Sequence, residues 1–139
     1  MDTLVVDTSV FIKWLNQTNE LYLENSDKIL EDVKRGQTEL VVPELIKYEI
    51  GNVLLKGKQL TPQQAYVSLG TAYSLPVTFV TESEQQAKET YTLANNLGVS
   101  YYDASFMSLA KQYNATLVTD NVKHQSKDPE IKVLALKDY

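Results

Sequence analysis

Five short runs rich in β-branched residues, TLVV (3–6), ELVV (39–42), VTFV (77–80), ATLVT (115–119) and IKVLAL (131–136), are spaced by longer stretches of helical periodicity. That alternation restricts the fold more than any other feature. Strands separated by helices build parallel sheets, and continuous apolar strands such as LVV need cover on both faces. The pattern therefore predicts an α/β domain, a parallel sheet between helical layers. With 139 residues there is room for one such domain, and residues 1–139 are read as a single unit.

The helical stretches carry their own punctuation. One spans residues 9–35 with a break at NQTN (16–19), and a second spans 44–56, with Pro43 placed in its first turn and Gly57 as its stop. A third opens at Thr61 and Pro62 as N-cap and first helical residue and runs to Tyr73. A fourth covers 82–97 with an inward face through Ala87, Tyr91, Ala94 and Leu97, closed by Gly98, and a fifth covers 101–113.

Composition narrows the chemistry. Apolar residues make up 43% and charged residues 22%, as in soluble domains. No apolar run approaches the roughly 20 residues that span a bilayer, and the N-terminus lacks the basic-then-apolar pattern of a signal peptide. The expectation is a cytoplasmic protein without a membrane partner. There is no cysteine and one histidine, His124, so disulfides, thiolate sites and multi-histidine zinc sites are excluded. Any metal would be held by oxygen. The net charge of −5 argues against capture of nucleic acid on a basic face, and leaves a divalent cation as the bridge to phosphate.

Four acids fit that bridge. Asp7 follows the first strand and Asp120 the fourth, in LVTDN, and ligands of parallel sheets bind outside the carboxyl ends of the strands. On a wheel of about 100° per residue, Glu49 falls among Leu45, Ile46, Ile50 and Val53, and Asp103 among Phe106, Met107, Ala110 and Tyr113. Both therefore face inward. Charged groups are rarely buried unless paired or bound to metal, and neither stripe holds a lysine or arginine. A cation is the simplest common partner.

Each acid also has an ordinary structural role open to it. Asp7 could cap the helix that follows, Asp103 stands at capping-box spacing from Ser100, and Asp120 or Asn121 could serve a turn. Glu49, inside its stripe, fits neither a cap nor a solvated face. Trp14 and His124 are read as structural or incidental.

At this point VVDTSVFIKW (5–14), PELIKYEIGNVL (43–54), GVSYYDASFMSLAKQYNATLVTDN (98–121) and IKVLALKDY (131–139) together resemble the PIN-domain family, especially its prokaryotic branch of VapC-like toxins. The resemblance implies a PIN-like fold whose five-stranded sheet has the order 3-2-1-4-5. It also implies a Mg2+- or Mn2+-dependent endoribonuclease that cuts RNA, forms a homodimer and is silenced by an antitoxin protein. By match, Asp7 and Asp103 are the principal metal ligands, Glu49 the third acid, and Asp120 or Asn121 the fourth position. Ser9 and Thr119 match hydroxyl positions near the site. Many relatives carry the last acid two residues after the threonine, where this sequence has Asn121 and places Asp120 one residue earlier.

The chemistry suits such residues. Magnesium takes hard oxygen ligands and keeps several waters, so a few carboxylates leave room for phosphate and nucleophile. Lys13, Lys47, Lys111 and Lys123 are expected at the rim, where they would help draw in phosphate. Two other readings compete. A PIN-type module without catalysis, acting in protein interaction, is compatible with the unusual TDN. A receiver-type signalling domain needs an aspartate after strand three, where FVTES offers Glu82 instead.

Overall fold

The computed structural model describes residues 1–125 and 128–139, with His124 and Gln125 described by their backbone alone. Five strands, β1 (Asp2–Val6), β2 (Thr38–Pro43), β3 (Thr78–Val80), β4 (Thr116–Thr119) and β5 (Lys132–Ala135), form one parallel sheet in the order β3-β2-β1-β4-β5. This is the PIN-like arrangement the resemblance implies. Successive residues on the inner strands β1 and β2, Leu4, Val5 and Val6 with Leu40, Val41 and Val42, are all buried. Neighbouring side chains of a strand point to opposite faces, so both faces are covered.

Seven helices surround the sheet among the described residues: α1 (Thr8–Phe11), α2 (Leu23–Lys34), α3 (Leu45–Asn52), α4 (Pro62–Ser74), α5 (Glu84–Leu97), α6 (Tyr101–Gln112) and α7 (Val122–Gln125). Their starts follow the sequence signals. Thr61 and Gln64 close a capping box on α4, Ser83 caps α5 and Ser100 caps α6. Gly98 ends α5 with φ +66°, the left-handed turn that glycine adopts without strain.

The expected break at 16–19 falls between a 3-10 turn at Ile12–Trp14, which follows α1 and buries Ile12, Lys13 and Trp14, and the start of α2. Three details depart from the sequence reading. Pro43 ends β2 rather than opening α3; it lies beyond the β1 pairing, so its missing N–H costs no ladder bond there. On α5 the expected Ala87, Ala94 and Leu97 are half-buried, but Tyr91 is 70% exposed and the buried residues are Gln86 and Thr90, the Gln86 amide bonding the buried Ser108 hydroxyl of α6. Helix α7 was not anticipated; it follows Asn121 directly and gives the β4 end a fixed continuation.

No described helix is long and apolar enough to cross a membrane. Trp14, as expected, is structural: its indole N–H donates to the carbonyl of Ser26. The side chain of His124 lies outside the described residues.

Candidate active site

The strand order changes direction at β1 and β4, the pair where ligands of open α/β sheets bind. Register fixes what stands there. Val6 pairs with Val118, and the Asp7 N–H donates to the carbonyl of Val118, so Asp7 and Thr119 leave the sheet side by side. Asp7 occupies the N-cap position of α1, yet its carboxylate accepts no capping bond from the helix. It accepts instead from two hydroxyls, Ser9 Oγ on Oδ1 and Thr119 Oγ1 on Oδ2. Those hydroxyls reach onward. Ser9 Oγ accepts the Asp120 N–H at 3.1 Å and Thr119 Oγ1 accepts the Asn121 N–H at 2.9 Å. The Asp7 carboxylate and the backbone of the β4–α7 loop are thus fixed by the same two side chains.

A cleft of about 210 Å³ is lined by Asp7, Thr8, Ser9, Glu49, Asp103, Phe106 and Asn121. Three of the four expected acids meet in it. Glu49 comes from α3, half-buried, with Thr8 Oγ1 donating to its Oε1 at 2.6 Å. Burial pushes its carboxyl above the ordinary range; the Thr8 bond pulls the other way, and the negative charges of Asp103 and Asp7 add to the upward shift. Asp103 comes from the first turn of α6. Its N–H is held by Ser100 Oγ at 3.0 Å, so the serine does the capping while the acid's side chain lines the cleft.

Asp120 does not join them. Its Oδ2 lies 2.8 Å from Lys13 Nζ, and Asn121 takes its place at the cleft. Lys13 is only 2% exposed, so it is no rim cation. Lys47 pairs with Glu44 and sits over the rings of Tyr73 and Phe79, and Lys111 pairs with Asp128 and Glu130 beside a different cleft. Of the four expected rim lysines, Lys123 alone remains exposed and close in sequence to the cleft-lining Asn121.

The PIN-domain model matches residues 4–128, nine-tenths of the chain. The chain belongs to the PIN-domain family. Solved structures agree in fold. This PIN domain is similar to VapBC2 from Rickettsia felis bound to a DNA fragment from its promoter, with TM-score 0.72, 18% identity and coverage of 96% of this chain and 98% of that one. It is similar to DNA-bound VapBC from Salmonella typhimurium, with TM-score 0.69, 17% identity and coverage of 98% and 99%. A toxin–antitoxin complex from Klebsiella pneumoniae gives TM-score 0.66, 17% identity and the same coverage. No curated protein matches the sequence.

The donor set of this PIN domain is carboxylate and hydroxyl oxygen, which suits a hard divalent cation. Among the described residues no three acids or imidazoles converge closely enough to enclose an ion by themselves. An open, oxygen-lined cleft fits a cation that keeps part of its water shell, as magnesium does. Two features are not evident from the sequence: the bond from Thr8 to Glu49, and the burial of Lys13, which is expected at the rim although it interrupts the apolar run VFIKWL. That interruption was the available signal.

Proposed function

We propose that this PIN domain is a divalent-cation-dependent endoribonuclease acting in the cytoplasm as the toxin of a two-protein toxin–antitoxin pair. The observation that carries the reading is the meeting of Asp7, Glu49 and Asp103 in one cleft at the β1/β4 end of the sheet. Asp7 and Asp103 are the residues we assign to hold Mg2+ or Mn2+. The cation, when bound, supplies charge neutralisation at the scissile phosphate and a lowered pKa for an attacking water.

The chain's own residues supply orientation and a proton acceptor. Ser9 and Thr119 hold both oxygens of Asp7 in a fixed plane, so the carboxylate needs little reorganisation on binding. Glu49, with its carboxyl pushed upward by burial and held by Thr8, is the residue we assign to take a proton from water. Asn121 offers an amide that can orient phosphate without adding negative charge.

The test is cleavage of single-stranded RNA by the purified chain with Mg2+ or Mn2+, read by the ends of the products. The expected ends are 5′-phosphate and 3′-hydroxyl. Cleavage that survives excess EDTA, or products with a cyclic phosphate, would sink the metal-dependent reading. The neutral Asn121 also favours a second reading, a PIN module without catalysis, and complete inactivity alongside tight partner binding would select it.

The partner assignment draws on the Klebsiella pneumoniae toxin–antitoxin complex and the two VapBC structures. We expect a homodimer, and an antitoxin whose arginine enters the acidic cleft, since a guanidinium pairs well with clustered carboxylates. Co-expression with the neighbouring gene should yield an inactive complex. A fully active monomer that binds no neighbour would remove the toxin assignment and leave the nuclease.

A further inference from the structure

Two consecutive residues at the end of β4 meet opposite fates. Asn121 lines the acidic cleft, while the Asp120 carboxylate is turned to Lys13 at 2.8 Å. Lys13 also binds Glu20 at 3.0 Å, and Glu20 binds Lys58 at 2.7 Å, so four alternating charges run from Lys58, just past the π-helical turn Val53–Gly57 that follows α3, to the edge of the site. Two ammonium groups face two carboxylates. The chain is neutral within itself and asks for no cation from outside.

The arrangement is fixed from both ends. Ser9 and Thr119 hold the N–H groups of Asp120 and Asn121, which sets the backbone from which the two side chains diverge. The Lys13 side chain is 1% exposed, so its ammonium has given up water for these two carboxylates. Burial alone would push the lysine down; its bonds to Asp120 and Glu20 outweigh that and raise it, and it stays charged. Moving Asp120 into the cleft would leave a buried ammonium with one partner instead of two, a costly exchange.

The cleft, by contrast, holds three carboxylates and one amide. With a neutral Asn121 where a fourth carboxylate would stand, a second divalent cation would lack an acidic ligand there. We propose that Lys13 is a positioning residue that withdraws Asp120 from the acidic cleft, so that this chain binds a single divalent cation. The inference rests on the metal-dependent reading above and refines it.

Mn2+ binding to the full chain tests this without any activity measurement, by following loss of the free-ion electron paramagnetic resonance signal during titration. Wild type is expected to bind one Mn2+ per chain. Asp120→Asn should keep one ion at an affinity within about threefold, because the residue is not a ligand. Asn121→Asp should add a second ion or tighten binding at least tenfold. Lys13→Met, which releases Asp120, should move the count toward two, and adding Asp120→Asn should return it to one. Should Lys13→Met fail to fold, the two exposed positions 120 and 121 decide alone. Two ions in wild type, or an ion lost in Asp120→Asn, overturns the proposal and leaves the nuclease reading standing. No Mn2+ binding by wild type overturns both.

Discussion

Two groups of carboxylates stand at the same edge of the sheet and are satisfied in different ways. In the cleft, Ser9 and Thr119 donate to Asp7 and Thr8 donates to Glu49, neutral hydroxyls that orient a carboxylate. A few residues away, Asp120 and Glu20 are met by the ammonium groups of Lys13 and Lys58. Hydroxyl partners leave the negative field available to a ligand; ammonium partners consume it. For Glu49 on one side and Asp120 with Glu20 on the other, that difference separates a cleft-lining acid from a structural tie.

The comparison breaks most visibly through Asp103. Its charge pushes on Glu49, so Asp103→Asn should raise the melting temperature of the protein in EDTA. The same change should lower RNA cleavage by roughly 10²- to 10³-fold, the scale of losing one preorganised electrostatic group. It should also remove the gain from added magnesium, which at a hundredfold excess over Kd is about 2.7 kcal/mol for wild type. If Asp103→Asn is less stable in EDTA and magnesium stabilises both proteins equally, Asp103 serves the first turn of α6 as a structural acid.

The opposite group should respond with the opposite sign. Lys13→Met removes the shared partner of two carboxylates, and losing one member of a buried pair costs roughly 3–5 kcal/mol. Glu20 and Asp120 keep partial contact with water, at 16% and 29% exposure, so the lower end of that range is expected in urea denaturation. A neutral or stabilising result would show that Lys13 is not what holds the loop.

How much of this was legible in the sequence depends on the range of the interaction. The sheet was readable because each strand is a short apolar run that needs cover on both faces, a property of consecutive residues. Glu49 and Asp103 stood out because helical periodicity placed charge inside apolar stripes. Lys13 and Asp120 could not be joined that way: they lie 107 residues apart, and only the β1–β4 register brings them together. The same holds for Thr8 and Glu49, 41 residues apart. On α5 the expectation fails at Tyr91 alone, since Gln86 and Thr90 are buried while Tyr91 stays out, the reverse of the ordinary hydrophobic assignment.

The hydroxyls that set the cleft apart can be removed individually. Thr119→Val keeps the shape, takes one donor from Asp7 and leaves the Asn121 N–H without its acceptor. A buried group left unsatisfied costs about 1–3 kcal/mol, and a fully buried Thr119 should fall within that range. Slower amide exchange at Asn121 in wild type than in Thr119→Val would locate the loss in the loop. Equal exchange would mean that the threonine only fills space.

The smallest effect carries the clearest sign. Glu49 has its carboxyl raised, first by burial and, against the Thr8 bond, by the charges of Asp103 and Asp7. A raised acid holds its proton in the folded state at a pH where the unfolded chain has lost it. Its contribution to stability is therefore fully present below the unfolded value, near 4.5, and is lost as the pH rises through the folded value. Glutamine keeps an oxygen for Thr8 and never ionises, so in EDTA at pH 7 Glu49→Gln should be more stable than wild type by about 1 kcal/mol or less, the scale of a partly solvated charge contact. The gap should close as the pH is lowered toward 4, where wild type becomes protonated as well. Added magnesium should reverse the order, because the cation relieves the repulsion that the substitution removes. A gap that is independent of pH between 4 and 7 would mean that the Glu49 carboxylate is not strained by its neighbours, and the cleft would then lose its claim to differ from the ion-paired chain beside it.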